Sequence, residues 1–141
     1  MLSPMSLARA AIVLCMFAIG NVKHSEAGRK CSTSESRQAV RELNRVTDWQ
    51  DLYNSFKHFA KCDSQKVAEE YSYTLSRLLA HEWGSLDALL RLTAHDLDFK
   101  EFIHRHIDEN IPEEESQLIM RNAREHCPSD GEWLCRLITD Y

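Results

Sequence analysis

From residue 32 onward, apolar side chains recur at steps of three and four, the spacing that gathers one face of an α-helix. Ala39, Val40, Leu43 and Val46 form a first such face. Ser32 and Glu35 ahead of it match a capping box. Thr47 and Gln50 repeat that pattern before Trp49, Leu52, Tyr53, Phe56 and Phe59. Asp63 or Ser64 then caps a third helix with the stripe Val67, Ala68, Tyr71, Leu75, Leu78, Leu79 and Trp83. Gly84 can end that helix in a left-handed conformation, and Ser85 can cap the next. A turn this short predicts two helices packed as neighbours.

The fourth helix turns Leu86, Leu89, Leu90 and Thr93 inward. Asp96 or Asp98 starts a fifth, carrying Phe99, Phe102, Ile103 and Ile107. Pro112 suits the first turn of a sixth, where its missing N–H costs nothing. Glu113, Glu114 and Glu115 follow, facing the positive end of the helix dipole. Leu118, Ile119 and Ala123 are its apolar positions, and Pro128 stops it after Cys127. Asp130 caps a last helix with Trp133, Leu134, Leu137 and Ile138. No segment alternates with period two, and no fixed repeat points to a solenoid. The pattern predicts an all-α fold: a compact bundle of about six or seven short helices.

The first 27 residues read differently. Arg9 ends a short polar start, Ala10 to Gly20 is an apolar run, and Ser25-Glu26-Ala27 resembles a cleavage site. The run is shorter than the roughly 20 residues a membrane span needs. The expected organisation is therefore a signal peptide over 1–27, removed after Ala27, and a single domain over 28–141. Cys15 would leave with the leader. The mature chain would keep 15 basic and 21 acidic residues, a charge of −6. That balance disfavours a general nucleic-acid binder, and no second segment is apolar enough to hold the mature form in a membrane.

Four cysteines remain after the leader: Cys31, Cys62, Cys127 and Cys135. An even number in an exported chain predicts two disulfides. Cys31 opens the first helix and Cys62 closes the second, so an antiparallel hairpin would set them side by side. Cys127 and Cys135 would then close a short loop.

Catalytic and metal chemistry find little support in the spacing. His104 and His106 point to different helix faces. His58 and Cys62 share a face but lack a second ligand pair. Surface or capping positions are the simpler reading of the histidines. No Gly-x-Ser-x-Gly elbow or phosphate loop occurs, and neighbouring carboxylates such as Asp96 and Asp98 read as helix ends. The chain reads as a non-enzyme with no cofactor and no metal.

The order of these features resembles a known group. A leader runs directly into a cysteine-led helix. An aromatic helix extends from Asp48-Trp49 to Cys62-Asp63. The stretches Tyr71 to Trp83 and Asp98-Phe99-Lys100-Glu101-Phe102-Ile103 follow, and Cys127 with Cys135 closes the chain. Together they resemble the helical periplasmic immunity proteins that neutralise amidase effectors of type VI secretion. The resemblance implies a homodimer in the periplasm. Its partner would be a peptidoglycan amidase with a Cys–His site, blocked in its cleft by a loop.

Two segments could make that contact. One is the turn with Glu82, Trp83, Gly84, Ser85 and Asp87, short enough to enter a cleft at little ordering cost. The other is the acidic stretch from Asp108 and Glu109 to Glu115, which could steer a basic partner. Trp83 also fits as a core side chain, and the acidic stretch as a solvated helix cap. The alternative class is an exported helical carrier of small apolar ligands, similar to insect odorant-binding proteins. Those proteins show two cysteines three apart in mid-chain, whereas here Cys62 stands alone.

Overall fold

The computed structural model describes residues 29–107 and 111–140. The expected leader, Asp108 and Glu109 lie outside the described residues. Within them the chain forms α1 (Thr33–Leu43), α2 (Trp49–Phe59), α3 (Gln65–His81), α4 (Leu86–His95), α5 (Leu97–His106), α6 (Glu113–Glu125) and α7 (Glu132–Thr139). No strand occurs among the described residues. α3 is the central element and packs on α1, α5 and α6. α2 lies against α1 and α4, α4 against α5, and α7 against α6.

The helices start where short polar side chains meet the first apolar face. At α1 the capping box forms in both directions: the Glu35 N–H donates to Ser32 Oγ at 3.2 Å, and the Ser32 N–H donates to Glu35 Oε2 at 2.8 Å. At α2 the cap is Asp48 rather than Thr47, because the carboxylate accepts from the Asp51 N–H at 2.8 Å. The Thr47 hydroxyl instead donates to Asp51. Ser64 and Asp96 stand at the caps of α3 and α5. Pro112 is the cap residue of α6 rather than part of its first turn. Gly131, not Asp130, is the cap residue of α7, and α6 ends at Glu125, before Cys127.

Gly84 departs from the expected left-handed stop. No glycine among the described residues has a positive φ. α3 ends at His81, and a 3-10 turn over Trp83–Ser85 leads into α4. That turn bonds the Ser85 N–H to the Glu82 carbonyl at 3.0 Å, so right-handed geometry alone reverses the chain.

The buried stripes meet in one core. Trp49, Leu52, Tyr71, Leu75, Leu78, Phe99, Phe102 and Ile103 are sealed from solvent. Phe56 lies 5.1 Å from Phe99 and 4.9 Å from Phe102, ring centre to ring centre. Tyr71 meets Phe102 edge-on at 4.8 Å. Such contacts add to the burial of apolar area that drives folding. Burial pushes the Tyr71 hydroxyl up to about 12, and the hydroxyl donates to the Ser55 carbonyl at 3.0 Å.

Both expected disulfides are present. Cys31–Cys62 joins the start of α1 to the 3-10 turn Ala60–Cys62 that follows α2, with Cα atoms 4.9 Å apart. Cys127–Cys135 ties the segment after α6 to α7, at 6.1 Å. The Lys61 ammonium reaches Glu35 Oε1 at 2.7 Å beside the first bridge.

Two outcomes follow from these ties. Loop-closure entropy assigns about 3.7 kcal/mol to the bridge spanning 31 residues and about 2.5 to the one spanning 8. Replacing Cys31 and Cys62 by serine should therefore destabilise more than replacing Cys127 and Cys135, as read by urea unfolding. The Lys61 hydrogen bond, with help from Ser32, holds the Glu35 carboxyl at about 2, below its ordinary 4.5. Its contribution is thus complete above pH 4.5 and lost as pH falls through about 2. Glu35→Gln should lie below the parent in unfolding midpoint near neutral pH and converge with it in strong acid. Curves that stay parallel throughout would remove Glu35 from acid unfolding.

Candidate functional site

Two places on the molecule hold side chains whose arrangement the helical pattern alone does not demand. They lie towards opposite ends of α3.

The first is the turn between α3 and α4. Glu82, Gly84 and Asp87 are exposed, while Trp83 and Ser85 are half-buried. Trp83 packs against the core with its ring and donates its indole N–H to the His126 carbonyl at 3.1 Å. His126 precedes Cys127, so the second disulfide fixes the strap that receives Trp83. The Ser85 hydroxyl donates to the Glu82 carbonyl at 2.9 Å rather than capping α4. A Cβ built on Gly84 would meet nothing within 4 Å, which leaves that corner open to solvent. Asp87 pairs with Arg91, whose hydrogen bond lowers the Asp87 carboxyl below its usual range. The turn is therefore braced from behind and open in front. Of the residues proposed from sequence to face a partner, it gathers Glu82, Trp83, Gly84, Ser85 and Asp87.

The second place is a polar relay that sequence reasoning missed. The histidines were expected at surface or capping positions, and His58, His81, His95, His104 and His126 are exposed. His106 is the correction: it is 6% exposed. It lies in the last turn of α5 against Phe102 and Tyr71, with ring centres at 4.5 and 5.7 Å. A buried imidazole needs partners for both nitrogens. Nδ1 lies 2.9 Å from Ser72 Oγ on α3. Nε2 lies 3.0 Å from the Asp63 carboxylate, with its hydrogen bond to Oδ2. Arg105 adds a contact to the same Oδ2 at 3.3 Å.

Asp63 is held by unusual backbone. It sits at the centre of a tight turn in which the Ser64 N–H donates to the Cys62 carbonyl at 2.7 Å. Two residues later Gln65 has φ 48°. A left-handed conformation costs a non-glycine residue roughly 1–2 kcal/mol. Backbone strain of this kind persists where the surroundings over-determine the local conformation, and it gathers at functional positions. Here the disulfide at Cys62 on one side and the carboxylate contacts on the other supply that determination.

Ser72 and His106 open onto a groove of about 450 Å³, also lined by Ala68, Tyr73, Ser76, Arg105, Ile111 and Pro112. The relay's members are 9 and 34 residues apart along the chain, so no local spacing marks them. The only sequence signal was that His106 falls on the apolar stripe of Phe99, Phe102 and Ile103. Among the described residues, no group of three or more His, Cys, Asp or Glu side chains is placed to hold a metal ion. No helix among them is long and apolar enough to cross a membrane.

The chain matches no protein-family model, no curated protein and no solved structure.

Removing the imidazole should cost more than its packing area suggests. His106→Ala leaves the Asp63 carboxylate without its closest donor, so the expected loss is roughly 2–4 kcal/mol. Urea unfolding of the variant measures it, and a loss below 1 kcal/mol would show that water replaces the ring without penalty.

Proposed function

We propose that this protein is an exported immunity protein that binds a periplasmic peptidoglycan amidase of type VI secretion and blocks its cleft sterically. The observation that carries the reading is the braced turn at Trp83. The Ser85 N–H and hydroxyl both donate to the Glu82 carbonyl, and the Trp83 indole donates to the His126 carbonyl. An exposed turn that is already ordered loses little conformational entropy on entering a cleft. Glu82 and Asp87 give it an acidic rim that would favour a basic cleft lip and raise the association rate.

The compartment fits. Two disulfides suit an oxidising, exported setting. The filling of the core supports a partner-binding role over a carrier role. The rings of Phe56, Tyr71, Phe99 and Phe102 occupy the space between helices that a carrier would give to an apolar ligand. Inhibition by insertion needs no chemistry from the inhibitor, and this reading assigns none. Self-association as a homodimer belongs to the same reading, as does removal of a leader near Ala27.

The test is capture of the amidase encoded beside this gene by the oxidised mature domain, read by biolayer interferometry and by peptidoglycan cleavage. Tight capture with loss of cleavage is expected. Glu82→Lys with Asp87→Lys should weaken capture by about ten-fold, mainly through the association rate, while loss of the exposed Asp87–Arg91 pair lowers the unfolding midpoint only slightly. Absence of capture by the unmodified domain would overturn the immunity reading. Capture indifferent to the charge reversals would move the contact away from the turn.

A further inference from the structure

We propose that Ser72 is a nucleophile, activated by His106 and positioned by Asp63, and that the groove beside it takes small neutral carboxylic esters with an apolar acyl chain. This goes beyond the steric reading and does not depend on it, because the turn at Trp83 contributes nothing to the relay.

The proton positions follow from the partners. A carboxylate only accepts hydrogen bonds, so the His106 nitrogen facing Asp63 carries the proton. In the neutral ring the other nitrogen, Nδ1, is then an acceptor. The hydroxyl 2.9 Å away must donate to it. This fixes the Ser72 O–H on the base and leaves its oxygen lone pairs pointing away from that bond. The second hydroxyl nearby does not compete, since Ser76 Oγ donates to the Ser72 carbonyl at 2.8 Å. Nucleophile, base and orienting carboxylate thus stand in the order that hydroxyl activation requires. Which ring nitrogen faces the serine differs from the familiar serine-protease arrangement, but either imidazole nitrogen can take a proton.

The surroundings match the chemistry. Asp63 and His106 are both nearly out of solvent, at 10% and 7% side-chain exposure, so their interaction is weakly screened. Ser72 is half-buried and lines the groove. Ala68, Tyr73, Ile111 and Pro112 give that groove an apolar wall for an acyl chain. Arg105 lines it as well; one of its N–H groups contacts Asp63 Oδ2, and the remaining donors of the guanidinium could serve a developing oxyanion. Glu69 on the same rim disfavours an anionic substrate.

The step balances without a cofactor. Ser72 Oγ attacks the ester carbonyl carbon while its proton passes to His106 Nδ1. The tetrahedral intermediate collapses as the imidazolium returns that proton to the departing alkoxide. Water then attacks the acyl-serine with His106 again as base, releasing the carboxylic acid and restoring the hydroxyl. The net reaction is ester plus water to acid plus alcohol. With a fluorophosphonate, the same attack at phosphorus expels fluoride and stops at the phosphonyl-serine.

The experiment treats the oxidised protein with a fluorophosphonate probe and maps the adduct by peptide mass spectrometry. It also follows hydrolysis of p-nitrophenyl butyrate. Labelling at Ser72 is expected, absent in Ser72→Ala and slowed about a hundred-fold or more in His106→Gln, the low end of general-base effects. Asp63→Asn should alter the pH profile of labelling, which a merely structural carboxylate would not do. Circular dichroism checks that each variant is folded, because Ser72→Ala also removes the partner of His106 Nδ1. No adduct on the unmodified protein would overturn the proposal. So would an adduct at another residue, or one at Ser72 formed equally fast in folded His106→Gln.

Discussion

A carboxylate taken out of water must be compensated on the spot, and Asp63 is the place where this fold meets that demand. Its side chain is 10% exposed, and desolvating an unpaired charge would cost several kcal/mol. Compensation comes from His106 and Arg105 at the end of α5. His106 in turn needs Ser72 from α3. Three chain segments are thus bound by one requirement. The backbone obeys it too: the tight turn at Asp63 and the left-handed Gln65 aim the carboxylate inward. The disulfide at the preceding residue keeps that corner from relaxing.

The other end of α3 is organised by the same logic with weaker groups. There the N–H of a half-buried indole, rather than a charge, asks for an acceptor. The His126 carbonyl provides it, and Cys127–Cys135 anchors the strap beside it. Each disulfide therefore adjoins a polar contact that the core alone would not hold. Loop entropy explains why the bridges stabilise the domain. Their placement next to Asp63 and His126 explains why they also sharpen two local geometries.

What could be read from the sequence follows from how local each cause is. The stripes of Leu75, Leu78, Phe99 and Phe102, the Ser32–Glu35 box and the disulfide pairing depend on neighbours within a turn or on helix ends, and the structure has them all. Cap positions slipped by a residue where a stronger acceptor stood next door, as with Asp48 beside Thr47. Gly84 misled because a 3-10 turn reverses the chain without the positive φ that glycine permits. His106 was out of reach for a different reason. Its position among Phe99, Phe102 and Ile103 announces burial, but its partners come from chain positions 34 and 43 residues away. A stripe shows that a side chain is inside without showing what it meets there.

The two proposed surfaces are set apart along α3. Ser72 and Trp83 are 11 positions apart, which at 1.5 Å per residue is about 16 Å along the axis. A partner burying a standard area of roughly 800 Å² covers a disc about 16 Å in radius. A contact centred on the turn would therefore cover the groove wall at Ser76 and reach its limit near Ser72. An amidase held at Trp83 need not close the groove, and a small ester at Ser72 need not disturb the turn. A purely structural account of the relay must explain why a serine, a histidine and an aspartate hold this junction. Apolar side chains of like volume would fill the same space without the desolvation cost. The nucleophilic role proposed for Ser72 would supply that reason, since only the polar set can move a proton.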